Sequence, residues 1–174
     1  TAELNTANEQ LSTIFQAANM GIAMLKDRTV QQCNAKLEEI FGYEPGELEG
    51  QPTHLWYSDE AEYQRVGDIL NEALSCGEAC QDEAHFKRKD GTEFWARLFD
   101  RAVDPKEPAK GIVAVIEDIT AEREHAEAIT KVFYPAMFAA HPQLLNVFNR
   151  ANQAVGEQPK ALAASVVAFA VHLI

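Results

Sequence analysis

The side chains that could bind a metal or attack a bond are few and scattered. The cysteines are Cys33, Cys76 and Cys80; the histidines are His54, His85, His125, His141 and His172. A zinc site draws four nitrogen or sulfur ligands from closely paired residues. Cys76 and Cys80 would stand one turn apart on a helix, but no second Cys or His pair accompanies them, so no metal site is expected. The odd cysteine count gives no disulfide framework and fits a reducing cytoplasm, the expected location. There is no HExxH spacing, no nucleophile–base pair and no glycine loop able to cradle phosphate. Acidic pairs such as Glu38-Glu39 and Asp59-Glu60 read as solvated helix faces. The chain is therefore expected to carry no catalysis of its own.

Bulk properties narrow the partners. With 174 residues, 47% hydrophobic and 24% charged, the chain can fill one ample core, or one domain and part of another. A net charge of −12 argues against a broad phosphate-binding surface, so no nucleic-acid partner is expected. No apolar run approaches the ~20 residues that cross a bilayer. No signal peptide opens the chain, and "ALAASVVAFAVHLI" is too short to span. No membrane partner is expected.

Periodicity then places the elements. Leu4, Leu11, Ile14, Phe15 and Ala18 form one stripe of a first helix that Gly21 ends. Two short strands, "IAMLK" and "TVQQC", flank the turn Asp27-Arg28. "NAKLEEIFGY" is a short helix with Asn34 as N-cap and Leu37, Ile40 and Phe41 inward. A longer helix opens at the capping candidate Ser58 and closes at Gly77, with Val66, Ile69, Leu70 and Leu74 apolar. Beyond Gly77 the period changes to two. Two strands join at Asp90-Gly91, read as a two-residue hairpin turn. Phe94, Ala96 and Leu98 share one face of the second; Trp95, Arg97 and Phe99 share the other. A last strand, "GIVAVIEDI", is apolar on both faces, so both sides of the sheet are expected to be covered. From Thr120 the pattern is helical, interrupted by prolines 135, 142 and 159. The fold class is α+β: one five-stranded antiparallel sheet with flanking helices, then an all-α segment. The expected divisions are an N-terminal helix over 1–20, a domain over 21–122 and a helical segment over 123–174.

The pieces "NAKLEEIFGYEPGELEGQ", "FKRKDGTEFWARL" and "GIVAVIEDITAERE" resemble, in order and spacing, a PAS sensor domain over roughly residues 10–122. The resemblance implies a five-stranded antiparallel sheet and small helices enclosing a pocket, used for sensing or for dimerisation. Light-sensing flavin members carry a cysteine where this chain has "GQPTHLWYS", so adduct photochemistry is not expected. Haem-binding members place a histidine on the long helix; here that helix has none, and His54 lies in the loop before it. The pocket candidates are Ile22, Met24, Leu37, Ile40, Leu55, Trp56, Phe86, Phe94 and Val113, read first as ordinary core. Trp56 could also stack on a ligand.

From about residue 123, "ITKVFYPAMFAAHPQLLNVFNRANQAVGEQPKALAASVVAFA" resembles the front part of the haem domain of bacterial haemoglobins and flavohaemoglobins. That resemblance puts Tyr134 and Gln158 on the distal side of a haem. Phe148 would pack on the porphyrin and Leu162 would sit above the iron. The proximal histidine has no counterpart. In the family it comes further on than the 16 residues that follow Gln158 here. His172, 14 residues past Gln158, would lie about 21 Å further along one straight helix. Pro135 also interrupts a helix through Tyr134.

Two readings follow. The first is a sensory, signal-transducing and protein-interaction module of unknown ligand. It would pair with a second copy through its N-terminal helix and reach a signalling partner through the helix after "EDITAERE". The alternative is a haem-binding globin, for oxygen binding or nitric oxide detoxification, represented only in part. The cofactor is unassigned, with haem entering only under the alternative.

Overall fold

The computed structural model describes residues 2–143. The chain divides into two units, residues 1–120 and 121–174, each taken by itself. The first carries α1 (Ala2–Ala17), β1 (Gly21–Lys26), β2 (Thr29–Cys33), α2 (Ala35–Phe41) and α3 (Glu60–Ser75). Strands β3 (Cys80–Lys87), β4 (Glu93–Ala102) and β5 (Ile112–Asp118) complete it, with 3-10 turns at Thr53–Trp56 and Pro108–Lys110. The strands form one antiparallel sheet in the order β2-β1-β5-β4-β3. The two halves of the chain thus meet where β1 pairs with β5.

Local chemistry explains the boundaries. Asp27 and Arg28 both take positive φ, 50° and 57°, which closes the β1–β2 hairpin between paired Lys26 and Thr29. Asn34 caps α2, its side chain accepting from the Leu37 amide, and Gly42 ends that helix in the left-handed region. The cap of α3 is Asp59, accepting from the Ala61 amide at 2.8 Å, and not Ser58. The Ser58 hydroxyl instead donates to Glu93. The β3–β4 loop is one residue longer than the expected two-residue turn. Arg88 N–H donates to Thr92 O and Gly91 N–H to Arg88 O, so Lys89, Asp90 and Gly91 form the loop, with Gly91 at φ +88°.

Alternation of the strands builds the core. Ala23 and Leu25 of β1, Ala84 and Phe86 of β3, Phe94, Ala96 and Leu98 of β4, and Ile112, Ala114 and Ile116 of β5 share the inner face. Helices close over them with Leu37, Phe41 and Val66. Phe41 is the centre of an aromatic cluster, stacked on Trp56 at 4.8 Å and edge-on to Phe94 at 5.3 Å. The opposite face pairs Ile22 with Val115, Met24 with Val113 and Phe99 with Val115. Among the described residues this face is only partly covered, short of the expected covering on both sides. Val113 and Val115 are half-buried, while Met24 and Phe99 are 37% and 49% exposed.

Among the described residues, the second unit carries the helix α4 (Thr120–Ala140). It continues through Pro135, against the expected interruption. Proline withdraws one hydrogen bond from the carbonyl four residues back, on Lys131. Residues 131–133 are exposed, so water can serve that carbonyl. The rest of the expected all-α segment lies outside the described residues. No described helix is long and apolar enough to cross a membrane.

Candidate ligand cavity and the start of α4

Between the inner face of the sheet and α3 lies a cavity of about 200 Å³. Its walls come from four strands, α3 and the 3-10 turn at Thr53–Trp56, each turning apolar side chains inward. Leu25 of β1, Phe86 of β3, Leu98 of β4 and Ile112, Ala114 and Ile116 of β5 form the sheet side. Val66, Leu70 and Leu74 of α3, spaced a helical turn apart, face them with Trp56 and Tyr57. A space of this size exceeds the ~150 Å³ that accepts a benzene-sized guest.

Asp100 breaks the apolar lining. It is the inward residue of β4 two positions after Leu98, paired with Ala114 and Cys80, and is 4% exposed. Burial, reinforced by the negative charge of Asp82, pushes its carboxyl up to about 7. Burial likewise raises the Tyr57 hydroxyl, opposed by the nearby Arg28 cation. The Cys33 thiol is pushed up to about 12 by burial and then by Glu38, and Cys80 rises for the same first reason. Both therefore stay protonated and unreactive at neutral pH. Trp56 is 3% exposed, and its indole Nε1–H meets no acceptor among the described residues. A buried donor in that state costs about 1–3 kcal/mol.

Arg28 lies at the cavity from the β1–β2 turn. Its guanidinium sits 3.5 Å above the Tyr63 ring, and Nη2 donates to the Tyr63 carbonyl at 2.9 Å. Gly67 leaves room for it; a Cβ there would stand 2.8 Å from Nη1.

The nine pocket candidates separate sharply. Trp56 and Phe86 line the cavity. Leu37, Ile40 and Phe94 are buried in the surrounding core without lining it. Ile22, Met24 and Val113 project from the other face of the sheet, since they alternate with the inward Ala23, Leu25, Ile112 and Ala114. Leu55 is 40% exposed on the 3-10 turn. The sequence reading missed Leu98, Asp100 and Ala114 as lining residues. For Leu98 and Asp100 the available signal was their parity with Phe94 and Ala96 on β4. His54, as expected for a loop residue, is exposed and paired with Glu60 at 2.9 Å. Among the described residues no group of three or more His, Cys, Asp or Glu could hold a metal.

The strand that lines the cavity also leads into α4. Asp118 Oδ1 accepts from the Thr120 amide at 2.9 Å, while Oδ2 accepts from Arg88 at 2.6 Å. Thr120 Oγ1 accepts from the Trp95 amide, and the Trp95 carbonyl accepts from Ile119. Arg88 also bonds the Ile40 carbonyl and covers the Phe94 ring at 4.1 Å. Thr120, the first residue of α4, and the Asp118-Ile119 pair before it are thereby tied to β4 and to the β3–β4 hairpin.

Of the haem-side residues, Tyr134 is half-buried on α4, beside Phe133 and Phe138. Phe148, Gln158 and Leu162 lie outside the described residues.

The PAS domain family description matches residues 19–121, more than half of the chain. The sensor protein TdiS of Thauera aromatica is 24% identical over 140 residues, 80% of this chain and 26% of TdiS. A flavohemoprotein of Deinococcus radiodurans is 56% identical over 55 residues, 32% of this chain and 14% of that protein. The chain thus spans 26% or less of these two relatives. Among solved structures, the PAS domain in complex with ethanol of a LuxR-family transcriptional regulator from Burkholderia thailandensis has a TM-score of 0.57. It is 29% identical and covers 62% of this chain and 96% of its own.

Proposed function

Since the chain belongs to the PAS domain family, we propose that its first unit is a sensory, signal-transducing module. It takes up a small organic molecule in the cavity and passes that state into α4. One observation carries the reading: β5 supplies Ile112, Ala114 and Ile116 to the cavity wall and ends at Asp118, the residue that accepts from the first amide of α4. A ligand that spreads β5 from α3 by a few tenths of an ångström acts on the same strand that holds that helix start. The ethanol complex of the related domain supports a small-molecule guest. Hydrogen exchange with and without benzyl alcohol tests the coupling. Protection at residues 118–124 is expected to change together with that of β5. Saturable binding with no change at those amides would refute transmission through α4.

Self-association belongs to the same reading. Leu4, Leu11 and Ile14 of α1 are 60%, 64% and 67% exposed, an apolar stripe on one helix. A second copy would cover it.

The alternative, a partial haem-binding globin, is favoured by the 56% identity to a flavohemoprotein. Tyr134 would then face the bound gas. The absorption spectrum of the purified 174-residue chain decides: a stable Soret band after desalting supports it, and a colourless chain that releases added haem removes it.

A further inference from the structure

We propose that the cavity selects a small organic cation: an amine on an apolar body of about one ring, its ammonium against Asp100 and its body among Trp56, Tyr57 and Phe86. The inference rests on the cavity being the ligand site. A carboxylate set in an apolar wall is costly unless a donor or an opposite charge meets it. Across the ladder Asp100 faces Cys80 and Ala114, neither able to neutralise it.

The surrounding charges do not supply a partner. Asp82 of β3 is itself negative and accepts from Arg65 Nη1 at 2.7 Å. Glu62 of α3 holds the other side of that guanidinium, 2.8 Å from Nε. Arg28 is stacked on Tyr63 and bonded to its carbonyl. Lys26 and Asp27, before it, are exposed to water. The Tyr57 hydroxyl stays neutral, since burial raises it. Arg28 and Lys26 line the cavity as well, but neither is paired with Asp100, whose carboxyl is governed by burial and by Asp82.

The rings make the same selection. Tyr57 meets Phe86 at 4.9 Å and 88°, and Trp56 meets Phe86 at 6.1 Å and 61°. All three rings line the cavity, and aromatic surface of this kind accepts the apolar body of an amine and can lie beside its cation. An acid or a phosphate set against ionised Asp100 would be repelled by it. A neutral alcohol of equal shape would fit but leave the carboxylate without an opposite charge.

Because an ammonium pairs with ionised Asp100, and burial raises that carboxyl to about 7, affinity rises with pH as the carboxyl ionises. Between pH 6 and pH 8 the gain is about tenfold. Calorimetry on the whole chain with benzylamine and with benzyl alcohol tests this. Benzylamine is expected to bind about tenfold tighter at pH 8 than at pH 6, and benzyl alcohol to show no such rise. Asp100→Asn should weaken benzylamine about tenfold or more and flatten its pH profile while keeping benzyl alcohol. Binding of benzyl alcohol but not benzylamine would overturn the cation and leave the cavity reading intact, as would unchanged benzylamine binding in Asp100→Asn. Binding of neither would overturn both. Should Asp100→Asn fail to fold, the pH profile of the unmodified chain decides alone.

Discussion

Replacing Asn34 by aspartate separates two jobs that one buried amide performs. Asn34 is fully buried, and its side chain makes four hydrogen bonds. Oδ1 accepts from the amides of Ile22 at 2.9 Å and Leu37 at 3.1 Å, joining β1 to the first turn of α2. Nδ2 donates to the carbonyls of Phe15 and Met20, each at 3.0 Å, anchoring the chain between α1 and β1. Aspartate keeps the two acceptor contacts and turns the two donor contacts into oxygen facing oxygen. Two lost bonds at about 1 kcal/mol each, with two buried carbonyls facing a carboxylate, give about 2–4 kcal/mol. Asn34→Ala loses the cap as well, a further ~1 kcal/mol. Urea denaturation followed by circular dichroism measures both. Hydrogen exchange adds the discriminating readout: in Asn34→Asp the amides of residues 15–21 should exchange faster while those of α2 change little. If Asn34→Asp leaves stability within about 0.5 kcal/mol of the parent and exchange at residues 15–21 unaltered, the anchoring role is refuted.

Three further outcomes are expected. Gly91→Val should cost about 1–3 kcal/mol in thermal or urea unfolding; no atom lies within 4 Å of the new Cβ, so the penalty comes from φ +88° alone. Asp100, with its carboxyl raised to about 7 from 3.8, binds its proton more tightly folded than unfolded. Its contribution is therefore complete below about pH 4 and is lost as pH rises through about 7, by up to roughly 4 kcal/mol, and Asp100→Asn should abolish that slope in urea midpoints. Leu11→Asp with Ile14→Asp, both on exposed positions of α1, should shift a sedimenting dimer to monomer; a parent chain that is monomeric at high concentration removes the pairing proposal.

Residues that obey local rules were legible. Asn34 before an apolar run, Gly77 after one, and Asp90-Gly91 between alternating strands each fixed a boundary through backbone chemistry that depends on near neighbours. Where two local solutions compete, the sequence does not choose. Ser58 and Asp59 are both capping residues, and Ser58 is drawn away by Glu93, 35 positions on. The hairpin loop gained a residue because Arg88 pairs with Thr92, a register set by the whole β3–β4 ladder. The cavity suffered most, since apolar type alone does not say which face of a strand looks inward. Met24 and Leu25 are equally apolar neighbours, yet only Leu25 meets the cavity. A parity rule anchored on Phe94 would have reached Asp100, the polar residue that most shapes the site. Its burial comes from strands β3 and β5 and from α3, none of them near it in sequence.

The site at which a small neutral probe binds tests the central claim most directly. Amide spectra of the isotopically labelled chain, titrated with benzyl alcohol, should show saturable shifts at Leu25, Val66, Leu70, Leu98, Ile112 and Ala114. Leu70→Trp, which fills the cavity from a half-buried position on α3, should abolish them while leaving the rest of the spectrum in place. Shifts gathered instead at Ile22, Met24 and Val113 on the opposite face, or persisting unchanged in Leu70→Trp, would contradict a sensor that holds its ligand inside the sheet.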